Sequence, residues 1–331
     1  MKALYSLIAV LAIAAIGWMP AQAPGLRALF WIAVPYAAIA IFLAGLAWRV
    51  IVWARVPVPF RIPATCGQQK SLPWIKTAPL DNPSTTLGVI GRMALEILVF
   101  RSLFRNTKSE LRGGPRLLHA EDKLLWLGAM AFHWSFLIVF VRHLRFFLQP
   151  IPAFVLALGS VDGFFQAGTP ELYLTDVALL AALLYLLARR FVNPRVRYIS
   201  LFTDYFALFL LAGLALSGVL MRYFLRVDLL AVKQFAMGLV TFHPAVPAGI
   251  GAVFFVHLTL LSALLAYFPF SKLVHMGGIF LSPTRNLANT NRQKRHVNPW
   301  NYPVKVHAYE EWEEEFHDKI VMAGLPLDKE Q

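Results

Sequence analysis

The chain has 331 residues, of which 58% are hydrophobic and only 15% are charged, and its formal net charge is +13 at pH 7. This composition leaves too little polar surface to coat a soluble globule of this size, so it predicts a lipid-facing membrane protein. The positive charge does not indicate a nucleic-acid partner, because the basic residues lie between apolar runs and not along one stripe. The single cysteine, Cys66, excludes a disulfide within this chain, a four-cysteine iron–sulfur site and a CxxCH haem attachment.

Six apolar stretches are long enough to cross a bilayer, which needs roughly 20 residues per helix. They cover about residues 3–20, 28–53, 122–148, 172–190, 201–224 and 247–268. Backbone groups in lipid must form hydrogen bonds within their own segment, so we predict that all six are helical. The first stretch resembles a signal peptide, with Lys2 in front and an A-x-A-like end at 21–23. We favour a retained first helix.

The long connection after the second span, residues 54–120, is predicted to lie outside the membrane in the cytoplasm. It holds ten Lys and Arg against three acidic residues, and basic residues accumulate on the cytoplasmic side. Within it, Leu87 to Phe104 has the pattern of an amphipathic helix that lies on the membrane surface. Loop 149–171 contains two acids and no base, so we expect it on the outer side.

These patterns predict an all-α integral membrane protein with about six transmembrane helices, organised as a haem-binding helical bundle. We divide it into two N-terminal helices (1–53), a basic cytoplasmic segment (54–120), a dihaem four-helix core (121–275) and a cytoplasmic tail (276–331). Both termini then lie in the cytoplasm. The acidic run at 310–315 in the tail is typical of a solvated helix or of a docking surface.

Four histidines in or beside two spans are the candidate metal ligands. His133 and His143 are ten residues apart, which keeps both on one helix face and separates them by roughly 15 Å. The third and sixth spans run antiparallel, so His143 would face His257 and His133 would face His275. Each pair could hold one haem iron from both sides, giving an outer and an inner haem b. A haem with two axial imidazoles conducts electrons and does not bind oxygen.

One spacing needs an explanation. His257 and His275 are eighteen residues apart, which is roughly 27 Å in a straight helix. We expect Pro269 to break or kink the helix between them, and tilt of the span to shorten the distance further.

Five arginines are candidates for pairing with haem propionates. Arg142, Arg145 and Arg222 lie near the outer ends of their spans, and Arg189 and Arg190 lie on the inner side. Extension of these side chains to the membrane interface explains each position equally well.

The remaining histidines are weaker candidates. His119 and His243 fall near span ends and could serve a proton route or replace a ligand, whereas the tail histidines are expected to be ordinary surface residues. The tail set is His296, His307 and His317.

The histidine spacings, together with Ser271-Lys272-Leu273-Val274-His275, resemble the ligand pattern of the gamma subunit of respiratory nitrate reductase, over about residues 120–280. The extra first span, segment 54–120 and the stretch Phe268 to Met276 look more like the DsrM subunits of DsrMKJOP sulfur-metabolism complexes. This resemblance implies two b haems, a quinone site near the outer haem, and location in a bacterial or archaeal cytoplasmic membrane. It also implies a cytoplasmic iron–sulfur partner that resembles heterodisulfide reductase. Further implied partners are a periplasmic c-type cytochrome and other membrane subunits.

The quinone site departs from the family pattern. Nitrate reductase cytochromes use a lysine in the loop after the second ligand, and loop 149–171 has none. Quinol oxidation releases protons, so we expect acceptors near the outer haem, and Glu171, Asp176 and His243 are the titratable groups there. Glu171 and Asp176 could equally cap and start the fourth span.

Three functions are therefore compared. The first is the quinone-reactive electron-transfer subunit of a membrane oxidoreductase complex. The second is a transporter or channel whose membrane histidines relay protons or bind a metal, which the absence of repeat symmetry disfavours. The third is a haem-containing anchor subunit without quinone chemistry of its own.

Overall fold

The protein is a helical bundle with one small β-hairpin. The computed structural model describes residues 1–56, 76, 78–105, 107–112, 116–164, 170–246, 249–288 and 307–328. The helices are α1 (Lys2–Gln22), α2 (Val34–Ala54), α3 (Thr86–Val99), α4 (Arg101–Phe104), α5 (Lys123–His143), α6 (Ala153–Asp162), α7 (Leu174–Val192), α8 (Pro194–Ile199), α9 (Phe202–Val219), α10 (Leu229–Val240), α11 (Ala252–Tyr267), α12 (His275–Gly278), α13 (Pro283–Asn286) and α14 (Tyr309–Met322). A π-helical turn at Leu29–Ala33 leads into α2, and another at Leu220–Leu225 extends α9.

Five helical segments in the described part of the chain are long and apolar enough to cross a membrane. They are Lys2–Gln22, Leu29–Ala54, Lys123–Phe146, Phe202–Leu225 and Ala252–Phe270. The predicted fourth span is also a helix, α7, but it has Asp176 in its first turn and Arg189 and Arg190 in its last. The integral membrane bundle expected from composition is confirmed.

The bundle is built around leucines from three helices and a valine from a fourth. α1 packs against α9 and α11, α2 packs against α11, and α7 lies between α5 and α9. The buried cluster at their centre consists of Val10, Leu179, Leu183, Leu210, Leu211, Leu260 and Leu264. Ordered packing of this kind compensates for the weak hydrophobic drive between helices in lipid.

The first helix is bound to the bundle by polar contacts as well. Lys2 Nζ donates to the carbonyl of Ser200 at 3.1 Å, and Ser6 Oγ donates to the carbonyl of Phe202 at 2.8 Å. Both acceptors lie where α9 begins. These contacts join α1 to the start of α9.

The segment between the second and third spans contains the expected surface helix and an unexpected hairpin. α3 and α4 together cover the stretch predicted from Leu87 to Phe104, and the side chain of Thr85 caps α3 by accepting from Gly88 N. Strands β1 (Thr107–Arg112) and β2 (Arg116–Glu121) then pair antiparallel, with Thr107 opposite Glu121. Residues 57–75 of the predicted cytoplasmic segment lie outside the described part.

This segment and the start of the tail meet on the same side of the bundle. Arg285 Nη1 lies 3.1 Å from Glu96 Oε1 and donates to Ser102 Oγ at 3.0 Å. The side chain of Glu96 is buried, so the ion pair joins α3 and α4 to α13. The two regions therefore share one side, as their common basic character predicts.

Two of the short helices that were not predicted lie in the connections between spans. α6 lies in the expected outer loop 149–171, and α10 lies between the fifth and sixth spans, where the side chain of Asp228 caps it. Each is too short to cross a bilayer, so span-length patterns do not detect them.

Candidate functional site

The four candidate ligands come together as two pairs between α5 and the last span. The ring centres of His143 and His257 are 6.4 Å apart and their planes differ by 6°. Those of His133 and His275 are 6.0 Å apart, with planes at 83°. The pairs are those expected from the antiparallel arrangement of the two spans.

The second pair is possible because the last span does not continue as a helix. α11 ends at Tyr267, and 3₁₀ turns at Phe268–Phe270 and Lys272–Val274 flank an extended Ser271 (φ −113°, ψ 176°). The expected break at Pro269 is present. The helix is therefore interrupted between His257 and His275.

All four histidines have Nδ1 beside a hydrogen-bond acceptor. His133 Nδ1 lies 2.8 Å from the carbonyl of Ala129, and His143 Nδ1 lies 2.7 Å from that of Val139. His275 Nδ1 is 2.8 Å from the carbonyl of its neighbour in the preceding turn. A carbonyl only accepts, so in these three rings Nδ1 carries the proton and Nε2 is free to bind a metal.

The fourth ring, His257, reaches the same state through a serine. Ser217 Oγ lies 2.9 Å from His257 Nδ1 and donates its single proton to the carbonyl of Leu214, also at 2.9 Å. The hydroxyl must then accept from the imidazole, so Nε2 of His257 is also unprotonated.

The donor set fits a haem better than a bare metal ion. In the described ranges, no group of three or more His, Cys, Asp or Glu side chains could hold a metal ion. Protein zinc sites use three or four protein ligands, whereas a haem iron takes four equatorial nitrogens from its macrocycle and needs only two from the protein. An imidazole nitrogen binds a first-row metal at about 2.0 Å, so two opposed imidazoles place their ring centres roughly 6 to 6.5 Å apart. Both measured separations fall in or near this range.

Aromatic side chains surround the inner pair. Phe100, at the left-handed junction of α3 and α4 (φ 50°), meets the ring of His133 edge-on with centres 4.9 Å apart. The surface helix is held there by two indoles of α5, because Trp126 Nε1 donates to the carbonyl of Val99 and Trp134 Nε1 to that of Leu98. The surface helix is thus part of the wall of the inner site, a role that its sequence does not indicate.

Near the outer pair, Arg142 is held by two carboxylates. Its Nε lies 3.0 Å from Asp162 Oδ2, and its Nη2 donates to Asp176 Oδ1 at 2.6 Å and to Thr175 Oγ1 at 3.2 Å. Asp176 also accepts from the hydroxyl of Tyr223 at 2.8 Å. Arg142 is buried, with 6% of its surface exposed. The two carboxylates compensate the charge of its guanidinium within the protein.

Arg222 has one N–H group without a hydrogen-bond partner among the described residues. Its guanidinium and that of Arg142 lie over the ring of Tyr173, at 3.9 Å and 3.8 Å from the centroid. Arg222 Nη2 donates to the carbonyl of Glu171 at 3.0 Å, whereas its Nε is buried without a hydrogen-bond partner among the described residues. The buried N–H is costly to leave unpaired, whereas the rest of the half-buried guanidinium keeps its partners.

A cavity of about 200 Å³ opens beside this cluster, lined by Arg145, Leu156, Gly159, Ser160, Gly163, Glu171 and Tyr173. One lining residue, Arg145, lies two positions after His143 in the chain. Arg145 and Glu171 are both predicted site residues. A Cβ on Gly163 would come within 2.7 Å of Glu171 Oε2, so only glycine leaves the carboxylate its present place. Tyr173 is a lining residue that sequence reasoning missed.

The other candidates are placed elsewhere. Arg189 Nη2 lies 2.7 Å from Asp122 Oδ2 at the start of α5, and Arg190 Nη1 donates to Ser200 Oγ at 2.9 Å. His243 is exposed in the turn after α10, with Nδ1 2.7 Å from the carbonyl of Thr241.

The weaker histidines are dispersed. The backbone of His119 pairs with Ser109 in the hairpin. His307 lies beside Glu311 with Nδ1 3.6 Å from Oε2, His317 lies on α14, and His296 falls outside the described residues.

Comparison with known proteins places these features in a family. Residues 89–293 match the family model of the nitrate reductase gamma subunit, a range that includes most of α3, all of α4 to α13 and all four paired histidines. A protein of Archaeoglobus fulgidus, described as an Hdr-like menaquinol oxidoreductase cytochrome b-like subunit, is 47% identical over 280 residues, covering 82% of this chain and 83% of its own length. A protein of the same description from Archaeoglobus profundus is 41% identical over 276 residues, covering 81% and 82%.

Proposed function

Because the chain belongs to the nitrate reductase gamma subunit family, we propose that it is a membrane cytochrome b subunit carrying electrons between a quinone pool and a partner in an oxidoreductase complex. Two haem b groups are held by His143 with His257 and by His133 with His275. The observation that carries this proposal is the presence of two isolated histidine pairs with ring centres 6.4 and 6.0 Å apart.

The protein prepares these four imidazoles for ligation. The acceptors at Nδ1 fix each ring's orientation and tautomer and increase the basicity of Nε2. A haem held by two such histidines would supply one-electron transfer. The ten-residue separation on α5 keeps the two sites roughly 15 Å apart, one near each side of the bundle.

The quinone site is proposed at the cavity beside the outer pair. Glu171 can accept a proton from a quinol, and Arg145 and Tyr173 can donate hydrogen bonds to its oxygens. The half-buried guanidinium of Arg222 remains a candidate partner for a haem propionate. Asp176 is bound to Arg142 and Tyr223, so we assign it to support of the site and not to proton transfer.

Sidedness follows from charge. The basic connections at 54–120, 189–197 and 272–295 face the cytoplasm, where the inner haem would meet its partner. The relatives are described as Hdr-like, which supports a cytoplasmic iron–sulfur partner resembling heterodisulfide reductase. The resemblance to DsrM subunits extends the proposal to dissimilatory sulfur metabolism, with a periplasmic c-type cytochrome and further membrane subunits in the complex.

The direct test is a reduced-minus-oxidised spectrum with pyridine haemochrome quantitation of the purified protein. We expect two b haems per chain, loss of the outer one in His143→Ala and in His257→Ala, and loss of the inner one in His133→Ala and in His275→Ala. His243→Ala is the matched control and retains both. Absence of haem from the wild type would refute the proposal and favour the transporter function.

A second measurement separates the quinone-reactive cytochrome from an anchor subunit. Addition of a menaquinol analogue to the oxidised protein should reduce the haems, and Glu171→Gln should slow this reduction with haem content unchanged. Haems that do not respond to the analogue would leave the chain as an anchor without quinone chemistry.

A further inference from the structure

The inner histidine pair depends on a break in the last span, and a broken helix needs stabilisation. Where α11 ends, carbonyl groups lose their helical hydrogen-bond donors, and Pro269 has no N–H to offer. Pro269 is almost completely buried. An acceptor in this position must find a donor from another element.

Arg49 of α2 supplies that donor. Its Nε donates to the carbonyl of Pro269 at 3.0 Å. A cation at the C-terminal end of a helix is also favoured by the helix dipole. The bond joins residues 220 positions apart in the chain, across the contact between α2 and α11.

α2 also fits closely around the break. A Cβ on Gly45, one turn before Arg49, would come within 2.9 Å of Pro269 Cβ and of Phe270 Cζ. Further along, the ring of Trp53 lies 3.4 Å from the position that a Cβ on Gly278 would take. α2 therefore contacts the chain on both sides of His275, in one case through a site that only glycine allows.

A second contact reaches the break from α9, but it is weaker. Lys272 Nζ lies 2.9 Å from Asp204 Oδ1, and the carbonyl of the same lysine accepts from His275 Nδ1. The side chain of Lys272 is 74% exposed, so solvent screens this ion pair. The contact from α2 is the stronger restraint.

We propose that α2 is a brace for the inner haem, and that Arg49 is a positioning residue that fixes the break at Pro269 and so sets the orientation of His275 opposite His133. The inference rests on the proposed function, since it requires that His133 and His275 bind a haem. It gives a role to a helix that precedes the residues matched by the family model.

The test uses the full-length protein in its membrane complex. Redox titration and low-temperature electron paramagnetic resonance give a midpoint potential and a low-spin signal for each haem, and the inner one is assigned as the haem lost in His275→Ala. In Arg49→Met we expect two haems, with the inner potential and signal shifted and the outer ones unchanged. Arg49→Lys, which retains the cation and a donor, should restore most of the shift.

Two further variants define the result. Gly45→Leu forces α2 away from the break and should lose the inner haem, leaving one haem per chain. Arg27→Met is the matched control. Arg27 Nε also donates to a proline carbonyl, that of Pro20 at 3.4 Å, but this contact lies before the start of α2, away from Arg49. It should leave both haems unchanged.

The outcomes distinguish the two proposals. If the wild type contains two haems and Arg49→Met leaves the inner potential and signal unaltered, the brace is refuted and the proposed function stands. Equal shifts of both haems in Arg49→Met would also refute it, because they would indicate general loosening of the bundle. A wild type without haem would overturn both.

Discussion

Replacement of Ser217 by alanine should selectively weaken the outer haem site. Ser217 is 5% exposed and is the acceptor for His257 Nδ1 at 2.9 Å. The variant leaves a buried N–H without a partner, which costs about 1–3 kcal/mol. Loss of such a supporting contact lowers metal-site affinity by about 10- to 100-fold. The imidazole also becomes a weaker donor to ferric iron, so the midpoint potential of the outer haem should rise.

Haem dissociation to apomyoglobin and redox titration measure the two effects. Ser262→Ala is the matched control, because Ser262 is a buried serine of α11 whose Oγ donates only to the carbonyl of Leu258 at 2.8 Å. We expect faster loss and a higher potential for the outer haem in Ser217→Ala, and wild-type behaviour in Ser262→Ala. A response confined to the inner haem, or an equal response in the control, would refute the assignment of His257 to the outer site.

Two further predictions concern the cavity and the inner surface. Gly163→Ala should displace the carboxylate of Glu171 and raise the KM for a quinol analogue at unchanged haem content, whereas Gly25→Ala, which meets no atom within 4 Å, should leave the kinetics unaltered. Hydrogen bonds from Arg101 and from the arginine one turn later lower the pKa of Asp81 from its ordinary value of 3.8 to about 2. This carboxylate should therefore stabilise the fold above about pH 4 and lose that contribution as the pH falls toward 2. The contribution should be less than about 1 kcal/mol, because the carboxylate is partly exposed. A measurement of Tm against pH should show the loss in the wild type and not in Asp81→Asn.

Much of the architecture follows from local sequence patterns. Apolar length predicts the bounds of six helices to within a few residues, except that the last begins at Ala252 and not near 247. In the described part of the chain, five of these six are long and apolar enough to cross a membrane. The spacing of the histidines predicts which rings face each other, because positions on a helix repeat regularly and antiparallel spans reverse the order. Their role as iron ligands remains a prediction.

The sequence was less informative about the arginines. The sequence leaves Arg142 open between a haem propionate and the membrane interface, and the fold places Asp162 and Asp176 around it, from an unpredicted short helix and from the next span. Arg189 and Arg190 likewise meet Asp122 and Ser200. Charge partners are chosen among residues far apart in the chain, and no periodic pattern encodes that choice.

The sequence by itself therefore determined the membrane class, the approximate bounds of the helices and the pairing of the histidines, since hydrophobic length and helical periodicity are local properties. Only the tertiary structure decided how the last span breaks, which residues line the outer cavity, and that α2 holds the break through Arg49. These depend on the close approach of distant segments, which is governed by side-chain shape and by the need of each buried polar group for a partner.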